Sequence, residues 1–200
     1  WLEQQCTSAE EVMVGWNPIW TYRRPDGRTA RVEWCKISHP RRIAHLSRFA
    51  ERCYLADIAE RRSRFITIQT EQGWSIQRAG NYFDRELCKN DLYYLAKFVL
   101  GYDRLAFHYH YYMAQSMRNL PVAYRGLRQF PRDTYKSTVC TVSYSVQEII
   151  RDPNVRILIY CNSKENAFKR MGEAKDHFLK EGSRLHQLFP EHFSAKLKDQ

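Results

Sequence analysis

A short apolar run set between two helical stretches limits the folds open to this chain more than any other feature. Val155-Arg156-Ile157-Leu158-Ile159-Tyr160 follows Asp152-Pro153, which stops a helix, and precedes Ser163, which suits a helix cap. A run this short, rich in β-branched residues and bounded by breakers, reads as a buried parallel strand. On its N-terminal side, Pro131–Thr138 reads as a loop opening a helix with Val139, Val142, Val146 and Ile149 on one face. On its C-terminal side, a second helix carries Glu165 in its first turn and Phe168, Met171, Ala174 and Phe178 along one face, and Gly182 ends it. Loop, helix, strand, helix is the repeating unit of an α/β domain, so a parallel sheet with flanking helices is expected over residues 86–200.

Residues 1–85 read differently, as a small α+β appendage of unknown role. Thr29–Ile37 has strand-type residues, and Pro40 opens a helical stretch to about Arg62 with Ile43, Leu46, Ala50 and Cys53 at near-helical spacing. Arg64–Gln69 and Trp74–Gln77, separated by Thr70-Glu71-Gln72-Gly73, read as a β-hairpin with a Gly-containing loop. Further on, Asp91 caps a helix with Leu92, Leu95, Ala96 and Val99 on one face, and Gly101 follows its end. Residues 106–117 are densely aromatic, and Leu120-Pro121 breaks the chain.

The 200 residues hold 32 Lys+Arg against 22 Asp+Glu, a formal charge of +10. The excess is spread along the chain, so no basic tail accounts for it; it is compatible with a nucleic-acid partner. An apolar content of 44% excludes a fully disordered chain. No stretch approaches the ~18 consecutive apolar residues of a membrane-spanning helix. The cysteines at 6, 35, 53, 88, 140 and 161 form no CxxC pair and read as reduced thiols of a cytosolic protein. Trp1–Gln5 lacks the basic and apolar parts of a signal peptide, and a start without Met points to a piece of a longer protein.

Lys136-Ser137-Thr138 carries the chemistry. A phosphate-binding loop needs backbone N–H groups aimed at the phosphates, a Lys that reaches the β/γ oxygens, and a hydroxyl on Mg²⁺. The usual form is G-x-x-x-x-G-K-[ST]; here Phe130 and Tyr135 stand at the two Gly positions. An ordinary helix start would carry the same three residues.

Phe130–Phe193 resembles the start of the ATPase domain of large terminase subunits, the DNA-packaging motors of tailed phages. These carry a deviant loop, Arg-x-x-x-Lys-[Ser/Thr]-[Ser/Thr], which Arg132, Lys136, Ser137 and Thr138 match. Thr141–Ile150, Asp152–Ile159, Asn162–Phe178 and Leu188-Phe189-Pro190 are similar to the segments that follow, and Asp91–Lys97 and Val99–Asp103 to the helix leading in. The resemblance covers about residues 88–193. It implies a P-loop NTPase-type fold and an ATP site with Mg²⁺. Lys136 would neutralise the β/γ phosphates, Ser137 would ligate Mg²⁺, Thr138 would touch the α-phosphate side, and Arg132 would act near the γ-phosphate. Thr134 and Tyr135 would complete the loop around the nucleotide, and Gln115 would read the adenine edge.

The whole motor would couple ATP hydrolysis to movement of double-stranded DNA into a procapsid. Its partners would be a portal protein and a small terminase subunit. It would work as a homo-oligomeric ring on the portal in the host cytoplasm, without a membrane. Val155–Tyr160 runs into Cys161-Asn162, without the Asp-Glu pair; the resemblance implies that this pair's strand and the nuclease domain lie downstream of the residues present here, and this portion alone is expected to be inactive. One departure stands out: Asp133 occupies a place where Gly is frequent, and a carboxylate there repels a triphosphate unless it turns away or pairs with Arg132. Two other classes account for the same residues: a non-enzymatic basic DNA-binding or adaptor module, and another P-loop enzyme such as a helicase.

The remaining candidates read more simply. His108 and His110 lack further ligands for a metal, and their aromatic run suits packing; the resemblance implies that it lines the adenine pocket. Arg23-Arg24, Arg41-Arg42 and Arg61-Arg62-Ser63-Arg64 suit DNA phosphates or solvated faces. Trp16, Trp20, Trp34 and Trp74 read as core.

Overall fold

The computed structural model describes residues 19–23, 28–118 and 130–193. Trp16, Arg24 and the Leu120-Pro121 break lie outside the described residues. Strands β1 (Ile19–Arg23) and β2 (Thr29–Glu33) pair antiparallel, with Ile19 opposite Glu33 and Arg23 opposite Thr29. Everything else regular among the described residues is helical. Helix α1 spans Pro40–Glu71 and α2 spans Ile76–Asn90. The short α3 (Leu92–Tyr94) runs into a π-helical turn, Leu95–Val99. A second π turn, Phe107–Tyr111, runs into α4 (Tyr112–Gln115), and a third, Thr138–Ser143, into α5 (Tyr144–Arg151). Helices α6 (Lys164–Leu179) and α7 (Arg184–Leu188) follow.

This architecture overturns the expected α/β fold with a parallel sheet. The β1–β2 hairpin is the only sheet among the described residues. Val155–Tyr160 joins no ladder, and Leu158 and Tyr160 are 91% and 92% exposed. A strand exists through its neighbours: its N–H and C=O groups need partners on an adjacent chain segment. The described residues supply no second run to lie beside this one, so an apolar β-type sequence stays single.

The hairpin expected over Arg64–Gln77 is also absent. Arg64–Gln69 is the last part of α1, and Ile76 begins α2. The apolar period there is helical: Ile58 is buried, Phe65, Ile66 and Gln69 are half-buried, and Arg64, Thr67 and Ile68 are exposed. Gly73, at φ 87°, makes the reversal between two helices instead of two strands. The α1–α2 pair continues past the end of the appendage, so residue 85 falls inside α2.

The two helices approach closely at Gly80, where a Cβ would meet Arg62 Nη2 at 2.6 Å. That approach seats Arg62 on the buried Asp84, with Nε donating at 2.9 Å and Nη2 at 3.3 Å. The N-terminal half of α1 packs on the Phe107–Tyr111 turn. Tyr54, Tyr93, Phe107 and Tyr111 form one aromatic cluster, Phe107 stacked on Tyr111 at 4.4 Å between centroids. Trp34 is buried as core, as expected.

Buried polar groups bind the layers. Tyr93, fully buried, donates to Glu51 Oε1 at 2.6 Å, and Lys97 sits on the same carboxylate at 2.5 Å while donating to Leu105 O at 2.6 Å. Gln147 and Arg151 of α5 donate to Cys88 O (2.9 Å) and Lys89 O (2.6 Å). These are carbonyls of the last turn of α2, which lack partners within their own helix. The row Val139, Val142, Val146 is buried as expected, with Ile150 rather than Ile149 as the next buried apolar residue. Ser163 caps α6, accepting from Asn166 N at 3.3 Å. The expected apolar face of α6 is only partly covered: Ala174 is buried, while Phe168 and Met171 are each 52% exposed. No helix among the described residues is long and apolar enough to cross a membrane.

Candidate phosphate loop

The loop begins at Phe130 and ends where Val139 N donates to Tyr135 O at 3.0 Å, the first bond of the helical stretch leading to α5. Two non-glycine residues in it hold left-handed backbone: Asp133 at φ 59° and Tyr135 at φ 52°. Such a conformation costs an L-residue roughly 1–2 kcal/mol, less for Asp, and persists only where the surroundings impose it. Tyr135 is the residue before Lys136, where the usual motif places its second Gly. The backbone thus takes the conformation that glycine would take freely.

Three side-chain bonds hold the loop. Thr134 Oγ1 donates to Pro131 O at 2.8 Å. Lys136 Nζ donates to Phe130 O at 3.1 Å, closing the loop across its mouth. His110 Nε2 lies 3.2 Å from Thr134 O, tying the loop to the buried aromatic segment beneath. Tyr135 OH accepts from Arg104 Nη1 at 3.5 Å, the edge of hydrogen-bond reach. A half-open cleft beside the loop is lined by Gly101, Tyr102, Asp103, Arg104, Leu105 and Tyr135.

The expected site residues fall into three groups. Arg132, Tyr135 and Lys136 are exposed on the loop, with Thr134 and Ser137 half-buried beside them. Thr138 is buried, 8% exposed, so of the two hydroxyls only Ser137 is open to a bound ion. Gln115 is half-buried at the end of α4, which packs against Thr138–Ser143, the first turn beyond the loop. Asp133 is exposed and forms no ion pair with Arg132 or any other cation among the described residues. The alternative in which Arg132 neutralises it is therefore not the arrangement present. Asp103 and Arg104 line the cleft beside the loop, which itself carries Arg132, Asp133 and Lys136.

Ser137 is the hydroxyl that would hold Mg²⁺ together with a triphosphate, and its half-open place at the helix start fits that role. No group of three or more His, Cys, Asp or Glu among the described residues is arranged to bind a metal on its own, His108 and His110 included. Burial, first, and the charge of His110 hold His108 below the ordinary histidine range; burial likewise lowers His110. Sequence reasoning missed Arg104 and His110 as loop neighbours, because each is more than twenty residues from the position it touches.

No family model matches the chain, and searches of the curated proteins and of the solved structures found no match.

Proposed function

We propose that residues 131–138 bind the phosphates of ATP with Mg²⁺, and that the chain is the nucleotide-binding portion of a DNA-packaging motor of the large-terminase type. The observation that carries this is the left-handed Tyr135 placed directly before Lys136 at the start of a helix. It turns the loop backbone at the point where a phosphate loop turns, directly ahead of a helix start whose first N–H groups have no partner within their own helix. The match of Arg132, Lys136, Ser137 and Thr138 to the terminase loop supports the same reading. Lys136 exchanges its bond to the Phe130 carbonyl for one to a phosphate oxygen, Ser137 holds Mg²⁺, Arg132 adds charge at the γ-phosphate, and Thr134 and Tyr135 contribute loop backbone. Gln115 reads the base. Double-stranded DNA, a portal and a small terminase subunit are the partners of this reading, with hydrolysis completed by carboxylates that the 200 residues do not present as an apolar Asp-Glu strand.

A second reading is favoured by the Lys136–Phe130 bond together with the helical architecture: a non-enzymatic basic module in which Lys136 is a structural tie. One measurement separates them. Mg²⁺-dependent binding of a fluorescent ATP analogue is expected for the chain and lost in Lys136→Ala. Binding that survives in Lys136→Ala, or absence of binding in the unaltered chain, refutes the phosphate-loop reading.

A further inference from the structure

We propose that His110 is a positioning residue for the 131–138 loop, setting its backbone from below through the Thr134 carbonyl; the consequence for phosphate binding rests on the reading above.

The geometry is specific. Thr134 lies between the two left-handed residues, Asp133 and Tyr135, so its peptide group is the pivot of the loop. Its carbonyl is met by His110 Nε2 at 3.2 Å. On the other side of the ring, Ala106 N donates to Nδ1 at 2.8 Å, and Ala106 O lies 3.1 Å from the same nitrogen. A backbone N–H can only donate, so Nδ1 accepts, and the proton of the neutral ring falls on Nε2. A carbonyl can only accept, so Nε2 donates to Thr134 O. The ring is 6% exposed, against the edges of Tyr109 (5.2 Å between centroids) and Tyr135 (6.0 Å). Burial favours its neutral form. The imidazole is therefore a rigid strut between the start of the Phe107–Tyr111 turn and the loop pivot. The strain at Asp133 and Tyr135 needs such an external restraint to persist.

Two substitutions separate this role from simple filling of space. His110→Gln places an amide nitrogen near Nε2, keeping a donor toward Thr134 O while giving up the Ala106 contact. His110→Asn keeps the contact near Ala106 and gives up the donor. Amide hydrogen exchange of residues 131–138 and binding of inorganic triphosphate with Mg²⁺ are measured on the full chain, with thermal unfolding as a control.

His110→Asn is expected to raise exchange in 131–138 about tenfold and to weaken triphosphate binding by a similar factor, the worth of one buried hydrogen bond. His110→Gln is expected to stay within about threefold of the unaltered chain. Equal effects of Asn and Gln, or unchanged exchange with Asn, overturn the proposal. Raised exchange in Asn alone, in a chain that binds no triphosphate, upholds the positioning role and refutes the phosphate reading instead.

Discussion

Asp133 is a carboxylate at the mouth of a loop proposed to hold a polyanion, and its removal gives the cleanest test of the site's electrostatics. It is exposed, carries no partner cation among the described residues, and holds φ 59°. At about 6 Å in water-like surroundings, one unit charge on another is worth about 0.7 kcal/mol. A bound triphosphate presents several charges at about that distance and beyond, giving roughly 1–2 kcal/mol of repulsion, or about five- to thirtyfold in affinity. Asp133→Asn removes the charge and keeps a side chain that tolerates left-handed backbone. Asp133→Gly also removes the conformational cost but adds unfolded-state freedom of about 0.5–1 kcal/mol, so its stability should stay near that of the unaltered chain. Both variants are therefore expected to bind Mg²⁺-ATP roughly tenfold more tightly at low salt, measured by calorimetry, with the gain shrinking as salt rises. If neither variant tightens binding at low ionic strength, the carboxylate does not face the phosphates and the placement of the ligand is wrong.

Other consequences follow from the same framework. Gln147 is 2% exposed and its amide is the partner of Cys88 O, so Gln147→Ala leaves a buried carbonyl and a void. A loss of about 2–3 kcal/mol in urea unfolding is expected, and a loss under about 0.5 would show that the α2–α5 contact relaxes freely. Acid sensitivity comes from the buried histidines. His108, His110 and His177 are all held below the ordinary range, chiefly by burial. The unfolded chain therefore binds protons at higher pH than the folded one, and stability should fall as pH drops below about 6.5. The urea midpoint is expected to be lower at pH 5.5 than at pH 7.5, and a midpoint higher at pH 5.5 would contradict the assignment.

Local signals carried much of the helical organisation. Asp91 caps as its residue type and spacing foretell, accepting from Tyr94 N at 3.0 Å, and Gly101 and Gly73 occupy left-handed positions. The buried row from Val139 to Val146 was legible because it repeats on one helix face. Two readings failed for opposite reasons. Arg64–Gln69 has β-type residues, but its partners lie on α2, and tertiary packing set the helix. Val155–Tyr160 has the composition of a buried strand, yet burial and pairing are properties of neighbours, which composition does not supply. At the loop, the residue types pointed to Lys136 and Ser137, while the left-handed Tyr135 and the His110 contact depend on long-range closure that no local pattern encodes.

The unpaired Val155–Tyr160 segment also bears on how this chain behaves in a tube. Six consecutive residues without proline, of which only Val155 has its N–H bonded, to Asp152 O, offer two almost fully exposed large side chains, Leu158 and Tyr160. Only Arg156 interrupts the run with charge. That is the composition from which cross-β association nucleates, and nothing in the native architecture has to unfold first to expose it. Concentration, not temperature, is then the variable that limits the chain's shelf life. A gatekeeper such as Leu158→Lys should slow light-scattering growth at high concentration while leaving the unfolding midpoint unchanged, because at 91% exposure the side chain gives the native core almost nothing to lose.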